Sequence, residues 1–205
     1  MNNTADVTMT GEAINNNFGY SVSAAGDVNG DGYSDVIVGG PLYDGGQTDE
    51  GRCYLYLGSA TTIASTPVWT KESNETGGQF GISVSTAGDM NADGYADVLL
   101  GGNYLDSGQT DEGRAFVYLG YSGGLNNSSS IIYESNQANS QFGLSVATAG
   151  DINGDGFSDV IIGAYEYDNG HTNEGRAYVY LGSVTGMGTT AGWSAEGNQT
   201  NVGFG

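Results

Sequence analysis

The chain has 205 residues, of which 24 are acidic and 4 are basic, and it carries a formal net charge of −20 at pH 7. Nucleic acids and anionic membrane surfaces recruit lysine and arginine, so this composition argues against both as partners. No stretch is long and apolar enough to span a bilayer, so we expect no membrane insertion. The surplus of carboxylates favours bound cations instead.

A period of 62 residues organises the chain. Each period begins with a Phe-Gly pair and continues with the same order of apolar runs and polar loops. A repeat of this length indicates an array in which each unit packs against its neighbours. The third unit also holds the start of a next repeat. The predicted units are residues 18–79, 80–141 and 142–205.

Residues 1–17 precede the first unit and are predicted to form an extra outer strand. When aligned on the period, they are a copy of residues 187–203, and Val7 falls in the column that holds Trp69 and Trp193. In a closed ring both segments would compete for one position, so one of them is displaced, adds a fifth strand or frays. Overlapping ends would also result from cutting a fragment out of a longer chain.

Each unit is predicted to contain four short strands, A to D, joined by turns. Strand B reads DVIVGG in the first unit, a β-branched run that is typical of a strand covered on both faces. No window has the apolar spacing of a helix. Four-stranded units of this length are typical of propeller blades. The predicted fold is therefore all-β: a β-propeller with three four-stranded antiparallel blades per chain.

An acidic loop with the pattern D-x-N-x-D-G-x-x-D lies between strands A and B of every unit. The side-chain oxygens of its first, third, fifth and ninth residues, with the backbone carbonyl of the seventh, can converge on one cation. Hard oxygen ligands without His or Cys favour Ca²⁺ over zinc or copper, and the flexible loop favours it over Mg²⁺. We therefore expect one structural Ca²⁺ per repeat, three per chain. The candidate ligands are Asp27, Asn29, Asp31, Tyr33, Asp35, Asp89, Asn91, Asp93, Tyr95, Asp97, Asp151, Asn153, Asp155, Phe157 and Asp159.

Two other interpretations of the acidic loop are less favoured. In an EF-hand the twelfth residue is Glu, whereas the first loop has Val38 there, inside strand B. A turn that binds nothing would leave three aspartates close together without a counter-charge.

The Phe-Gly pair, the acidic loop and the Val-Gly that ends strand B resemble FG-GAP repeats. Such repeats form the blades of the integrin α-subunit propeller and of many bacterial surface proteins, and the resemblance covers residues 18–205. It implies Ca²⁺ binding by the loop residues named above and ligand binding on the opposite face, formed by the B–C and D–A loops. It also implies an extracellular or cell-surface location, although residues 1–17 lack the pattern of a signal peptide. The family's Gly-Ala-Pro reads Gly-Gly-Pro at residues 39–41, so the turn after strand B departs from the family pattern.

Three blades do not close a ring, because closed propellers have roughly four to eight blades. The end faces of the first and third blades would therefore remain bare and apolar, which favours association. Two copies would supply six blades, so we expect a homodimer. The rival interpretation is a fragment of a longer seven-bladed surface protein.

The function expected from these features is a non-enzymatic, calcium-binding module that binds a protein or glycan and assembles with itself. The alternative is part of a calcium-dependent polysaccharide-degrading enzyme. It is less favoured because the three copies are nearly uniform and offer no pair of catalytic groups. The arginines at the start of strand C (Arg52, Arg114 and Arg176) are predicted to pair with nearby carboxylates. Tyr, Asp and Gln side chains of the B–C loops serve either ligand binding or contacts between blades.

Overall fold

The computed structural model describes residues 5–12, 14–129, 131–184 and 188–205. These residues form strands and turns, and none of them lies in a helix. The described residues accordingly include no helix of the length and apolarity needed to cross a membrane. The predicted all-β class is confirmed.

Three four-stranded antiparallel sheets form the blades, and each predicted unit provides one of them. The first blade is made of β1 (Ser21–Gly26), β2 (Asp35–Gly40), β3 (Arg52–Tyr56) and β4 (Trp69–Glu72). The second is made of β5 (Ser83–Gly88), β6 (Asp97–Gly102), β7 (Arg114–Tyr118) and β10 (Ile131–Glu134). The third is made of β11 (Phe142–Gly150), β12 (Asp159–Ala164), β13 (Arg176–Tyr180) and β14 (Trp193–Glu196).

A short hairpin that the sequence did not predict lies between strands C and D of the second blade. It pairs β8 (Gly120–Tyr121) with β9 (Gly124–Leu125). Leu125 is buried in the core between the first two blades. The hairpin therefore closes the outer end of that core.

The blades stack through two apolar cores. In the first core, Ile37 and Leu55 of the first blade meet Val98 and Leu100 of the second. An equivalent set fills the second core, between the second and third blades. Every residue of β6 is buried because the middle blade has a neighbour on each face, as expected for a continuous apolar run.

The Phe-Gly pair at the start of each of the second and third blades packs against the preceding blade. Phe80 is buried, and an added Cβ on Gly39 would lie 2.1 Å from the carbonyl oxygen of Gly81. Only glycine at the end of strand B permits this backbone approach. The Ser21 hydroxyl donates a hydrogen bond to the same carbonyl at 2.7 Å. The single cysteine, Cys53, is a buried free thiol beneath Gly81.

The outer strand predicted at residues 1–17 is not formed in the part of the segment that the structure describes. Residues 5–12 and 14–17 contain no strand. Residues 1–4 and 13, together with residue 187 of the copied segment, lie outside the described residues. Met9 instead packs on the apolar end face of the first blade, where it contacts the cluster around Tyr54. By its alignment with β14 the segment would pair with strand C of a preceding blade, and the described residues include no such strand.

Candidate metal centre

The three acidic loops lie at the same end of their blades, and hydrogen bonds connect each loop to the next. The backbone N–H of Ala96 donates to the carbonyl of Asp27 at 2.9 Å, and the N–H of Ser158 donates to the carbonyl of Asp89 at 3.0 Å. The loops thus follow one another around the arc of blades. Each predicted ligand occupies the equivalent place in its own loop.

Left-handed backbone conformations bend each loop sharply. In the first loop Gly30 and Gly32 have φ angles of 74° and 90°. In the second loop the position of Gly30 is taken by Ala92, with a φ of 55°. Residues with a Cβ rarely adopt this conformation. The turn therefore depends on the loop pattern and is strained at Ala92.

The first aspartate of each loop organises the loop backbone. The Asp27 carboxylate accepts hydrogen bonds from the N–H groups of Gly30 (2.7 Å), Asp31 (3.1 Å) and Gly32 (2.8 Å). Asp151 accepts the same three bonds in the third loop. The loop is thus wrapped around this carboxylate.

The third and fifth residues of each loop hold each other. The Asn29 amide nitrogen donates to Asp31 Oδ2 at 3.0 Å, and the corresponding distances are 2.9 Å in the second loop and 2.8 Å in the third. Asp31 Oδ1 accepts the N–H of Tyr33 at 3.0 Å. The first, third and fifth side chains therefore lie close together in one small loop. Their oxygens accept hydrogen bonds from N–H groups of the same loop.

The ninth residue of the loop has a second role that the sequence did not reveal. Asp97 is fully buried, and its two oxygens accept the N–H groups of Met90 and Gly120 at 2.9 and 3.0 Å. This carboxylate connects the acidic loop, strand B and the end of strand C. Asp35 and Asp159 make the same pair of bonds. A signal for this role was present in the sequence, because a Gly follows strand C in all three repeats.

Burial makes the charge of this aspartate costly. Desolvation raises the pKa of Asp97 to about 7, and the negative charges of Asp93 and Asp89 act in the same direction. The N–H groups of Gly120 and Met90 oppose the rise. Burial likewise raises the pKa of Asp35. A nearby cation would offset the repulsion among these carboxylates.

The donor set fits a hard cation, although the side chains are not grouped as a finished coordination shell. Among the described residues, no three Asp, Glu, His or Cys side chains are arranged so that they could hold a metal ion. Tyr33, Tyr95 and Phe157 can contribute only a backbone carbonyl. The remaining candidate ligands are carboxylate or amide oxygens, which are the ligands that Ca²⁺ prefers.

The repeated arginines are paired with carboxylates, as predicted. Arg52 contacts Glu12 at 2.8 Å, Arg114 contacts Glu75 at 2.8 Å, and Arg176 contacts Glu196 at 3.3 Å. The first two acceptors lie in the segments that precede the blade, and the third lies on the arginine's own blade.

The B–C loops, at the opposite end of the blades from the acidic loops, are held by their own side chains. The fully buried Glu50 accepts the N–H groups of Gly45 and Gly46 at 2.6 and 2.7 Å. Asp44 accepts the N–H of Asp49 at 2.7 Å. The carboxylate of Glu50 thus caps the backbone of its own loop.

The fold and the repeated loop define a β-propeller of FG-GAP repeats. The FG-GAP repeat family matches residues 18–56, 80–118 and 142–180, and the chain belongs to this family. The three matches begin at the Phe-Gly pairs and end in strand C.

Several curated relatives are integrin alpha subunits. Integrin alpha-5 of Xenopus laevis is 34% identical over 180 residues, which make up 83% of this chain and 17% of that protein. Integrin alpha-IIb of Mus musculus is 38% identical over 162 residues, 76% of this chain and 15% of that protein. Integrin alpha-PS2 of Drosophila melanogaster is 34% identical over 177 residues, 78% of this chain and 12% of that protein. The chain thus spans less than a fifth of the length of these relatives.

Proposed function

We propose that the chain is a non-enzymatic, calcium-stabilised adhesion module that acts outside the cell or on its surface. The observation that carries this proposal is the threefold recurrence of one acidic loop in an FG-GAP propeller whose relatives are integrin alpha subunits. The ligand, a protein or a glycan, binds on the side of the B–C and D–A loops.

Each acidic loop would hold one Ca²⁺ through its first, third and fifth side chains, the carbonyl of its seventh residue and its buried ninth residue. In the first loop these are the oxygens of Asp27, Asn29, Asp31, Tyr33 and Asp35. The ion would connect strands A and B and balance the carboxylates of the loop. Three ions would change the formal charge of the chain from −20 to −14, because each adds two positive charges.

We further propose that two copies of the chain close a six-bladed ring. The end of the third blade supports this proposal: Ile152 is 55% exposed, whereas Val28 and Met90, at the same position in the other blades, are fully buried by the following blade. At the opposite end Val22 is 64% exposed, whereas its equivalent Val84 is 8% exposed. Both end faces therefore have the composition of a buried interface between blades.

The hydrogen bonds between successive loops support the same arrangement. Asp27 and Asp89 accept the N–H of the eighth residue of the next loop. Within the described residues the Asp151 carbonyl has no such donor. In the ring, Ser34 of the second copy would donate to it, because Ser34 is the eighth residue of the first loop.

The contacts of the Phe-Gly pair at residues 204–205 support the engagement of a further blade by the third one. The N–H of Phe204 donates to the Glu174 carbonyl at 3.1 Å, as that of Phe80 does to the Glu50 carbonyl. Phe204 also borders an apolar groove of about 310 Å³ on the open face. The second copy brings an equivalent pair, Phe18 and Gly19. At each junction between copies, one of the two pairs must therefore be displaced from this position.

Native mass spectrometry with and without a chelator tests both parts of the proposal. We expect a mass near twice the 21.1 kDa of one chain, with three calcium ions per chain that chelation removes. Asp31→Ala, Asp93→Ala and Asp155→Ala should each remove one ion per chain, and the exposed Asp6→Ala serves as a control that removes none. A chain that binds no calcium at millimolar concentrations would overturn the calcium assignment. A monomer at micromolar protein would overturn the ring.

A further inference from the structure

A cavity at the outer rim of the arc lies between the first and second blades. It encloses about 290 Å³ between β4 and β7, close to the lower end of the range of small-molecule sites, about 300–1,000 Å³. Two of the chain's four basic residues line it. Its principal lining residues are Lys71, Leu105, Arg114, Phe116, Tyr118 and Ser128.

The arginines equivalent to Arg114 are held by hydroxyl groups of their own blades. Arg52 donates from Nη1 to the Tyr43 hydroxyl at 2.7 Å and from Nη2 to the Thr70 hydroxyl at 2.9 Å. Arg176 makes the same two kinds of bond, to a tyrosine and a serine. Nη1 and Nη2 of both guanidinium groups are therefore occupied.

The second blade has lost all of these hydroxyl groups. Leu105 stands in the place of Tyr43, and Ile132 in the place of Thr70. Phe116 likewise stands where the other blades have tyrosine. The one hydrogen bond that the described residues give the Arg114 guanidinium runs from Nη2 to Glu75, at 2.8 Å. Nη1 of Arg114 makes no hydrogen bond within the described residues, whereas Nη1 of Arg52 and of Arg176 does, so Arg114 keeps a donor free beside the cavity. The buried Nε lacks a partner in all three arginines.

A second departure from the repeat opens the space itself. At the next interface Tyr133 stacks on Tyr180, with ring centroids 4.0 Å apart. The residue equivalent to Tyr133 in the first blade is Lys71, whose ammonium group donates to the carbonyl of Asn127 at 2.9 Å. Trp69 packs edge-on against Tyr118 at this interface, with ring centroids 5.1 Å apart, and the cavity lies beside Lys71, where no second ring is present.

The groups that line the cavity combine apolar walls with both kinds of hydrogen-bonding partner. Arg114 and Lys71 donate, the Glu72 carboxylate accepts, and the Ser128 hydroxyl does both. The two carboxylates of Glu72 and Glu75 balance the two cations, so the cavity does not favour a charged ligand. Aromatic walls suit the C–H face of a ring.

We propose that this cavity binds one ring of a neutral sugar. Each sugar hydroxyl both donates and accepts hydrogen bonds, which matches the mixed polar groups, and the apolar face of the ring would lie against the partly exposed Phe116. The assignment names the ligand class of the adhesion function proposed above and rests on it. The cavity lies within one chain, however, and requires neither bound calcium nor a closed ring.

Saturation-transfer NMR and amide shifts of the labelled protein test the site. The probes are the methyl glycosides of D-galactose, D-glucose and D-mannose, and N-acetyl-D-glucosamine, with D-glucuronic acid as a charged comparison. We expect at least one neutral sugar to bind with a millimolar or lower dissociation constant and to shift the amides near Lys71 and Arg114. Calcium content and mass, measured on the same sample, report separately on the function proposed above.

Two variants that introduce the residues of other repeats should fill the cavity. Leu105→Tyr reproduces the tyrosine of the first and third blades, and Lys71→Tyr reproduces Tyr133. Each should weaken sugar binding at least tenfold. The matched control is Leu42→Tyr, which introduces the residue that the second blade has at that position (Tyr104), away from the cavity.

Three outcomes would overturn the assignment. One is that no sugar of the panel binds at tens of millimolar. Another is that Leu105→Tyr, Lys71→Tyr and the control Leu42→Tyr all bind the sugar with the affinity of the unaltered protein. The third is binding of glucuronic acid alone, which would make the cavity a site for anions.

Discussion

At the scale of the residue, the acidic loop shows how one side chain serves two purposes. The buried ninth aspartate of each loop was predicted as a cation ligand, and the structure also places its oxygens on two backbone N–H groups. A buried carboxylate is stable only when its charge is compensated by hydrogen bonds or an opposite charge. The same aspartate is therefore required for the backbone connection whether or not an ion is bound.

The second loop contains a strained residue whose relief should stabilise the protein. Ala92 has a φ of 55°, in a conformation that costs a residue with a Cβ about 1–2 kcal/mol. We expect Ala92→Gly to raise the free energy of unfolding by about 1 kcal/mol, because glycine adopts this conformation without strain. Urea denaturation at fixed calcium concentration measures the change.

The third loop offers a reciprocal control. Gly154 has the equivalent conformation, with a φ of 76°, and an added Cβ would meet no atom within 4 Å. Gly154→Ala should therefore lower stability by a similar amount through backbone strain alone. If Ala92→Gly and Gly154→Ala had equal free energies of unfolding, the backbone conformation at this loop position would not determine the stability of the protein.

At the scale of the element, the B–C loops show why turn-rich segments of this length keep one shape. Glu50, Glu112 and Glu174 are fully buried. In the first loop the carboxylate accepts hydrogen bonds from backbone N–H groups of the loop itself, which have no partner in a strand. Such donors must be satisfied when they are removed from water. The recurrence of Glu before the Gly-Arg of strand C is thus explained by local hydrogen bonding.

Removing this cap should destabilise the first blade. Glu50→Ala leaves the N–H groups of Gly45 and Gly46 without their acceptor, which should cost about 1–3 kcal/mol for each donor that stays buried. Chemical denaturation measures the loss.

The control for this change is Glu12→Ala. Glu12 pairs with Arg52 but is half exposed, with 47% of its side-chain surface accessible. Exposed pairs contribute about 0–1 kcal/mol. If the two variants lost equal stability, burial of Glu50 would not be the source of its effect.

At the scale of the whole molecule, the middle blade differs from the two end blades in having a neighbouring blade on each face. The second blade is covered on both faces, whereas the first and third each present one apolar face without a neighbouring blade among the described residues. Since successive blades pack through the same positions of the repeat, the two open faces are complementary. This complementarity underlies the proposed ring.

Polar substitutions on the open faces should weaken association. Ile152→Gln and Val22→Gln each place an amide in the proposed interface between copies, and each should raise the dimer dissociation constant at least tenfold, because burial of such a side chain is worth about 1.5–3 kcal/mol. Sedimentation velocity over a range of protein concentrations measures the effect.

Tyr121→Gln is the matched control, because Tyr121 is 44% exposed and lies in the hairpin of the middle blade, which contributes to neither end face. It should leave the dimer unchanged. A dimer that tolerates both face variants would have to form through another surface.

The sequence by itself determined the period and the position of every strand from β1 to β4 and of their repeats. Strand positions follow from local alternation of apolar residues and from the loops between them, which are encoded within a few residues. Gathering the first, third and fifth loop side chains was predictable for the same reason. That these loops hold calcium remains a prediction.

Only the tertiary structure decided which surfaces meet. The second role of Asp97 depends on Gly120, which lies 23 residues further along the chain. The cavity beside Arg114 arises where Lys71 of one blade faces Leu105 and Tyr118 of the next, and no local pattern marks that meeting. The segment at residues 5–12 aligns with an outer strand of the repeat, but the described residues include no strand C of a preceding blade with which it could pair. In each case the outcome depends on which neighbour the packed blades supply, and that information is distributed over residues far apart in the chain.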